Sequence, residues 1–135
     1  MLSSNELVPV PPGLDHAEAE SLVLNYTTAY QMLHRCAHIK PDEMILINGG
    51  AAGGVGTALL QLGKLANLKK RYGTASYKKH DIVSFIPISL YLLGGIPIDY
   101  KSVNLVEEII KLTSHDDERE SGVDAVFDGI GGKSF

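Results

Sequence analysis

Cysteine is nearly absent: Cys36 is the one thiol in 135 residues. That excludes a disulfide framework within the chain and any zinc site built from several of its own thiolates. It also suits a reducing compartment. Positive charge is not in excess. Lys and Arg number 12 against 16 Asp and Glu, a formal charge of −4, which argues against non-specific binding to nucleic acid or to anionic membrane. Long apolar runs are missing too. The longest uncharged stretch, 82–98, is interrupted by Pro87, Gly94, Gly95 and Pro97, whereas a membrane helix needs roughly 20 apolar residues. Met1 to Leu7 has neither the basic n-region nor the apolar h-region of a secretory signal, so a cytoplasmic location with no membrane and no nucleic-acid partner is expected.

Several reaction centres are missing as well. No tyrosine has a lysine four residues on, so the Y-x-x-x-K centre of short-chain dehydrogenases is absent. Gly132-Lys133-Ser134 invites a P-loop reading, but Phe127 stands where that motif needs its first glycine. His34, Cys36 and His38 have helical spacing without a carboxylate or second thiol beside them, which predicts a surface or packing role and no metal site. There is no nucleophile triad or carboxylate pair, and no catalytic residue is assigned.

What is present is an alternation of strand and helix signals. Residues 1–14 form an extended, proline-rich lead-in, because each proline denies its predecessor the α region. Asp15 is placed to cap a helix with Glu18 and Glu20 in its first turn. This helix is expected to run, with a break near Asn25, to about His38. Met44-Ile45-Leu46-Ile47 is wholly apolar, as for a strand covered on both faces. A glycine-rich loop follows, and then Leu59, Leu60, Leu62, Leu65 and Leu68 recur at helical spacing. Tyr72–Ala75, Ile96–Tyr100 and Val123–Asp128 read as further strands, and Val106, Ile109, Ile110 and Thr113 mark one face of a helix. The pattern predicts an α/β fold, a doubly wound parallel sheet in the order 3-2-1-4. It is a Rossmann-type domain over 15–135, C-terminally incomplete because strands five and six have no counterpart.

The loop carries the chemistry. Ala51-x-Gly53-x-x-Gly56 follows an apolar strand and opens an amphipathic helix, the context in which a dinucleotide fingerprint acquires a mechanism. Gly53 lets the backbone approach a pyrophosphate, Gly56 lets helix and strand pack, and amides near Gly54 and Val55 point at the anion. At the end of strand two, Ala75 stands where an acidic residue grips the ribose of NAD. Ser76-Tyr77-Lys78-Lys79-His80 follows, a hydroxyl with cations suited to a 2′-phosphate. NADPH is therefore the expected cofactor.

These residues resemble the coenzyme-binding domain of the medium-chain dehydrogenase/reductase superfamily, in its zinc-independent quinone oxidoreductase and enoyl-reductase branch. The resemblance runs from about Leu7 to Phe135. It is carried by Leu24-Asn25-Tyr26-Thr27-Thr28-Ala29-Tyr30, 50–56, Tyr72-Gly73-Thr74-Ala75-Ser76, Ile98-Asp99-Tyr100 and 123–132. Leu24 occupies the place of a ligand cysteine in zinc-dependent relatives. The resemblance implies that Gly53, Gly54 and Val55 hold the pyrophosphate, and Ser76 and Lys79 the 2′-phosphate. It sets Tyr100 by the adenosine ribose phosphate, Thr28 near the nicotinamide half, and Gly129 to Gly131 near the ribose across the crevice. It implies hydride transfer from NADPH to a quinone or an activated C=C or carbonyl, by orientation and water exclusion.

Three departures accompany it. The family's N-terminal GroES-like catalytic domain has no counterpart, so the chain reads as a fragment that turns over little by itself. Lys69-Lys70-Arg71 stands where the family is apolar; since three adjacent cations are not buried unpaired, strand two is expected to be shortened, or shifted so that these side chains reach solvent or a phosphate. Phe85 to Leu92 is an apolar insertion without an assigned place. The alternative to an oxidoreductase part is a non-catalytic nucleotide-binding or interaction module. Its exposed fourth strand would pair with another chain or self-associate.

Overall fold

The computed structural model describes residues 9–49, 51, 53–75, 90–114 and 120–131. The leading helix starts where the sequence places it. Asp15 Oδ1 accepts from the Glu18 amide at 2.8 Å, while Glu18 Oε2 accepts from the Asp15 amide at 3.0 Å, a reciprocal capping box. The helix passes through α1 (His16–Ser21), a π-helical turn Leu22–Tyr26, α2 (Thr27–Tyr30) and a second π-helical stretch Gln31–Cys36. The break expected near Asn25 is thus a widening of a continuous helix, whose backbone stays in the right-handed region. It ends at Cys36, and His38 takes a left-handed conformation with φ 50. His34 and His38 therefore do not share a helix face; the His34 ring lies against Tyr30, with centroids 4.5 Å apart.

Four strands follow: β1 (Met44–Asn48), β2 (Lys70–Ala75), β3 (Ile96–Asp99) and β4 (Ala125–Asp128). They are parallel, in the order β3-β2-β1-β4, as the sequence predicts. Helix α3 (Gly54–Leu65) joins β1 to β2, and α4 (Leu105–Thr113) lies between β3 and β4. Every residue of β1 is buried, because its alternating side chains enter two cores. Ile45 and Ile47 pack with Ala29 and Leu33 of the leading helix and Ala58, Leu59 and Leu60 of α3. Met44 and Leu46 pack with Tyr72, Ile98, Leu105 and Ile109 on the opposite face. A central parallel strand needs this double cover. Among the described residues no helix is long and apolar enough to cross a membrane.

The helix faces differ from the leucine count. In α3 the buried residues are Gly56, Ala58, Leu59, Leu60 and Gly63, and Leu65 is 78% exposed. Three of these five are glycine or alanine, so small residues share the inner face with Leu59 and Leu60 while Leu65 lies outside it. In α4 the stripe is Leu105, Ile109 and Thr113, with Val106 and Ile110 half-exposed beside it. Strand β2 is not shortened. It begins at Lys70, and Arg71 turns its guanidinium back to the chain, with Nη1 donating to Leu68 O at 3.2 Å and Nη2 to Gly94 O at 3.0 Å. Carbonyl partners thus meet the cation at the strand's start, and partial burial lowers the guanidinium pKa from its ordinary value. Of the apolar insertion, 85–89 lie outside the described residues; Leu90 is buried in the α3-side core.

Candidate functional site

Asn48 ends β1, and the chain turns through Gly49, whose φ is +75. A side chain there would run into that of Ile130 from the β4 loop, so glycine is required both by the conformation and by the close approach. Gly53 then caps α3 in an extended conformation without any side-chain hydrogen bond. The first amides of a helix have no partner inside it, and among the described residues those of Gly54, Val55 and Gly56 have none outside it. The positive end of the α3 dipole lies behind them.

A cavity of about 290 Å³ opens beside this turn. Its walls come from four elements: Ile47 and Asn48 of β1, the 53–56 turn with Leu59, Phe127 and Gly129 of β4, and Asn25 and Met32 of the leading helix. It therefore sits at the carboxyl ends of β1 and β4, where the strand order reverses and doubly wound sheets bind ligands. The lining is mostly apolar, with Asn25 and Asn48 as its polar side chains and the backbone of the 53–56 turn beside them.

A polar ladder crosses three strands just behind the cavity. The Gly49 amide donates to Thr74 Oγ1 at 2.7 Å, Thr74 Oγ1 donates to Asn48 Oδ1 at 3.0 Å, and Asn48 Nδ2 donates to Asp128 Oδ1 at 3.0 Å. The same Asp128 oxygen accepts the amides of Ile130 at 2.9 Å and Gly131 at 3.1 Å. These amides, Ile130 first, hold the carboxyl pKa below its ordinary value, with the Asn48 amide adding to them and desolvation opposing. The ladder ties the glycine turn after β1 to the loop after β4. Sequence reasoning missed Asn48, Thr74 and Asp128 as site residues. The available signal was that β1 and β4 each end in a polar residue directly before a glycine, Asn48-Gly49 and Asp128-Gly129.

The expected site residues fall into three groups. Gly53, Gly54, Val55, Gly56 and Gly129 line the cavity together, and Gly131 is held beside it by Asp128. Thr28 and Tyr100 stand apart from its wall. Thr28 is exposed on the leading helix, one turn from Asn25, with its hydroxyl donating to Leu24 O at 2.7 Å. Tyr100 follows β3 at the far side of the sheet, 40% exposed, with the Lys101 ammonium 5.9 Å from its ring centroid. Ser76 and Lys79 lie outside the described residues.

No family model matches the chain. Individual proteins do. The synaptic vesicle membrane protein VAT-1 homolog of Danio rerio is 37% identical over 134 residues, which are 98% of this chain and 25% of that protein. Among solved structures, the CurK enoyl reductase superposes with a TM-score of 0.73 at 32% identity, covering 93% of this chain and 34% of the other. The quinone oxidoreductase of Escherichia coli, solved with NADPH, gives a TM-score of 0.68 at 29% identity, covering 79% and 31%. The chain thus spans about a quarter to a third of the proteins it matches. The parallel sheet, the glycine turn at its reversal point and these likenesses converge: the chain is similar to the quinone oxidoreductases and enoyl reductases of the medium-chain dehydrogenase/reductase superfamily.

Proposed function

We propose that the chain binds NADPH at the carboxyl edge of its sheet and serves as the coenzyme-holding part of an oxidoreductase. That enzyme would pass hydride to a quinone or to an activated C=C or carbonyl acceptor. The observation that carries this reading is the cavity at the β1–β4 reversal, floored by a helix start that has no side-chain cap. The residues fit the cofactor. Gly53 adds no side chain where the pyrophosphate would approach, and the Gly54 and Val55 amides would donate to it along the helix dipole. Ser76 and Lys79 would take the 2′-phosphate and Tyr100 the adenosine ribose phosphate. Thr28 would lie toward the nicotinamide half, with Gly129 and Gly131 at the ribose across the crevice. When bound, the reduced nicotinamide supplies the hydride. The chain's own contribution is to orient it and to exclude water with Ile47, Met32, Leu59 and Phe127. No metal enters this scheme.

Calorimetric titration of the 135-residue chain with NADPH and NADH tests it. The wild type is expected to prefer NADPH, Lys79→Ala to lose that preference, and Gly53→Val to weaken both ligands. A chain folded by circular dichroism that binds neither nucleotide overturns the reading and leaves an interaction module in its place. The chain by itself is expected to bind without turnover. A cytoplasmic location rests on the cysteine usage; the Danio rerio relative is named for the synaptic vesicle membrane, and cell fractionation decides between the cytosol and a membrane surface.

A further inference from the structure

Asn25 belongs to no motif that the glycine fingerprint explains, yet three observations converge on it. The first is its place: it lines the cavity from the leading helix, facing the turn that opens α3. The second is Gly54. A Cβ on that residue would come within 2.5 Å of Asn25 Nδ2, 2.7 Å of its Cγ and 2.9 Å of its Oδ1. The fingerprint leaves position 54 free to be any residue; glycine here makes room for this carboxamide against the helix start. The third is the backbone. Asn25 sits within the π-helical turn Leu22–Tyr26, and π turns inside α-helices are frequent at functional sites.

The carboxamide has capacity to spare. Its one described hydrogen bond runs from Nδ2 to Ser21 Oγ at 3.3 Å, whereas an Asn side chain offers two donor hydrogens and an acceptor oxygen. The topology says which part of a ligand it would meet. In a doubly wound sheet the end of β2 takes the adenosine ribose and the dinucleotide crosses the reversal point. The cavity lies on the β4 side of the glycine turn, away from β2, so it receives the other half of the molecule. We infer that Asn25, seated over Gly54, is a binding residue for the nicotinamide-side ribose and adjoining phosphate of the dinucleotide, supplying a side-chain hydrogen bond beside the backbone amides of α3. This rests on the nucleotide reading above.

Titration with NADPH and with adenosine 2′,5′-bisphosphate, which lacks the nicotinamide half, separates the two ideas. For Asn25→Ala, NADPH affinity is expected to fall about five- to tenfold, the size of one neutral hydrogen bond, with the bisphosphate unchanged. Asn25→Asp keeps the shape over Gly54 but sets an anion beside a phosphate, so its loss for NADPH is larger and shrinks with added salt. Lys79→Ala weakens both ligands. Equal losses for the two ligands in the Asn25 variants would make Asn25 a packing residue and overturn the inference, as would wild-type NADPH affinity in both variants. If the folded wild type binds neither ligand, the nucleotide reading itself falls and this assignment falls with it. If the wild type binds both and only the Asn25 variants discriminate, both stand.

Discussion

Asp128 is the residue on which the β4 loop depends, since one carboxylate oxygen collects the amides of Ile130 and Gly131 and the Asn48 side chain. These donors favour the ionised form, so its pKa in the folded chain lies below the unfolded value. A depressed carboxyl stabilises the fold above the unfolded pKa, near 4, and that stabilisation is lost as the pH falls through the lower folded value. Urea denaturation at a series of pH values is expected to show a loss of stability below about pH 4 that is smaller in Asp128→Asn. An identical acid limb in the variant would assign the effect to other carboxyls. Gly49 is the second test at this scale. Gly49→Ala adds a side chain both at φ +75 and against Ile130, with an expected cost of about 1–3 kcal/mol and weaker NADPH binding. The link each makes across the sheet, Asp128 to Asn48 and Gly49 to Ile130, was not legible in the sequence, because those partners are about 80 positions apart and meet only through the pairing of β1 with β4.

The elements were legible where one physical cause dominated. An unbroken apolar run bounded by turn residues suits a central strand, and β1 is one; a glycine turn between it and an amphipathic stretch suits a helix opening at the carboxyl edge, and α3 is that helix. Faces were less legible where small residues carry the contact. Counting leucines put Leu65 inside, but Gly56 and Gly63 occupy the inner stripe and Leu65 points outward. At Gly63 a Cβ would come within 2.9 Å of Arg71 Cδ and 3.0 Å of Leu68 Cδ1. The cations at the start of β2 were misread as shortening or shifting the strand for a related reason. A buried charge was weighed without the backbone carbonyls of Leu68 and Gly94 that accept it. Two predictions follow from this packing. Leu65→Glu is expected to change stability by less than about 0.5 kcal/mol, as for an ordinary surface site. Gly63→Val is expected to cost about 1–3 kcal/mol through overpacking. Thermal melts of the two variants check the assignment, and a Leu65→Glu loss as large as that of Gly63→Val would reverse the two faces.

At the scale of the whole molecule, β1 sends alternate side chains into two cores on opposite faces of the sheet, and the cavity belongs to one of them. Leu46 lies in the core under α4, whereas Ile47, its neighbour, lines the cavity. A ligand that binds only the folded chain adds RT ln(1 + [L]/Kd), or about 2.7 kcal/mol at a hundredfold excess over Kd. In a chain of this size that corresponds to a rise in Tm of roughly 10 °C. Leu46→Ala removes buried apolar volume on the far face and should lower stability by about 2–5 kcal/mol. Because that face takes no part in the cavity, the free-energy increment from NADPH should be the same in Leu46→Ala and in the wild type, within a few tenths of a kcal/mol. Melts of both proteins across a range of NADPH concentrations measure it. Equal increments would mean that the central strand insulates the binding face from the other core. A smaller increment in Leu46→Ala, with the protein still folded, would mean that β1 transmits a packing defect to the carboxyl edge, and that the glycine turn depends on both cores for its geometry.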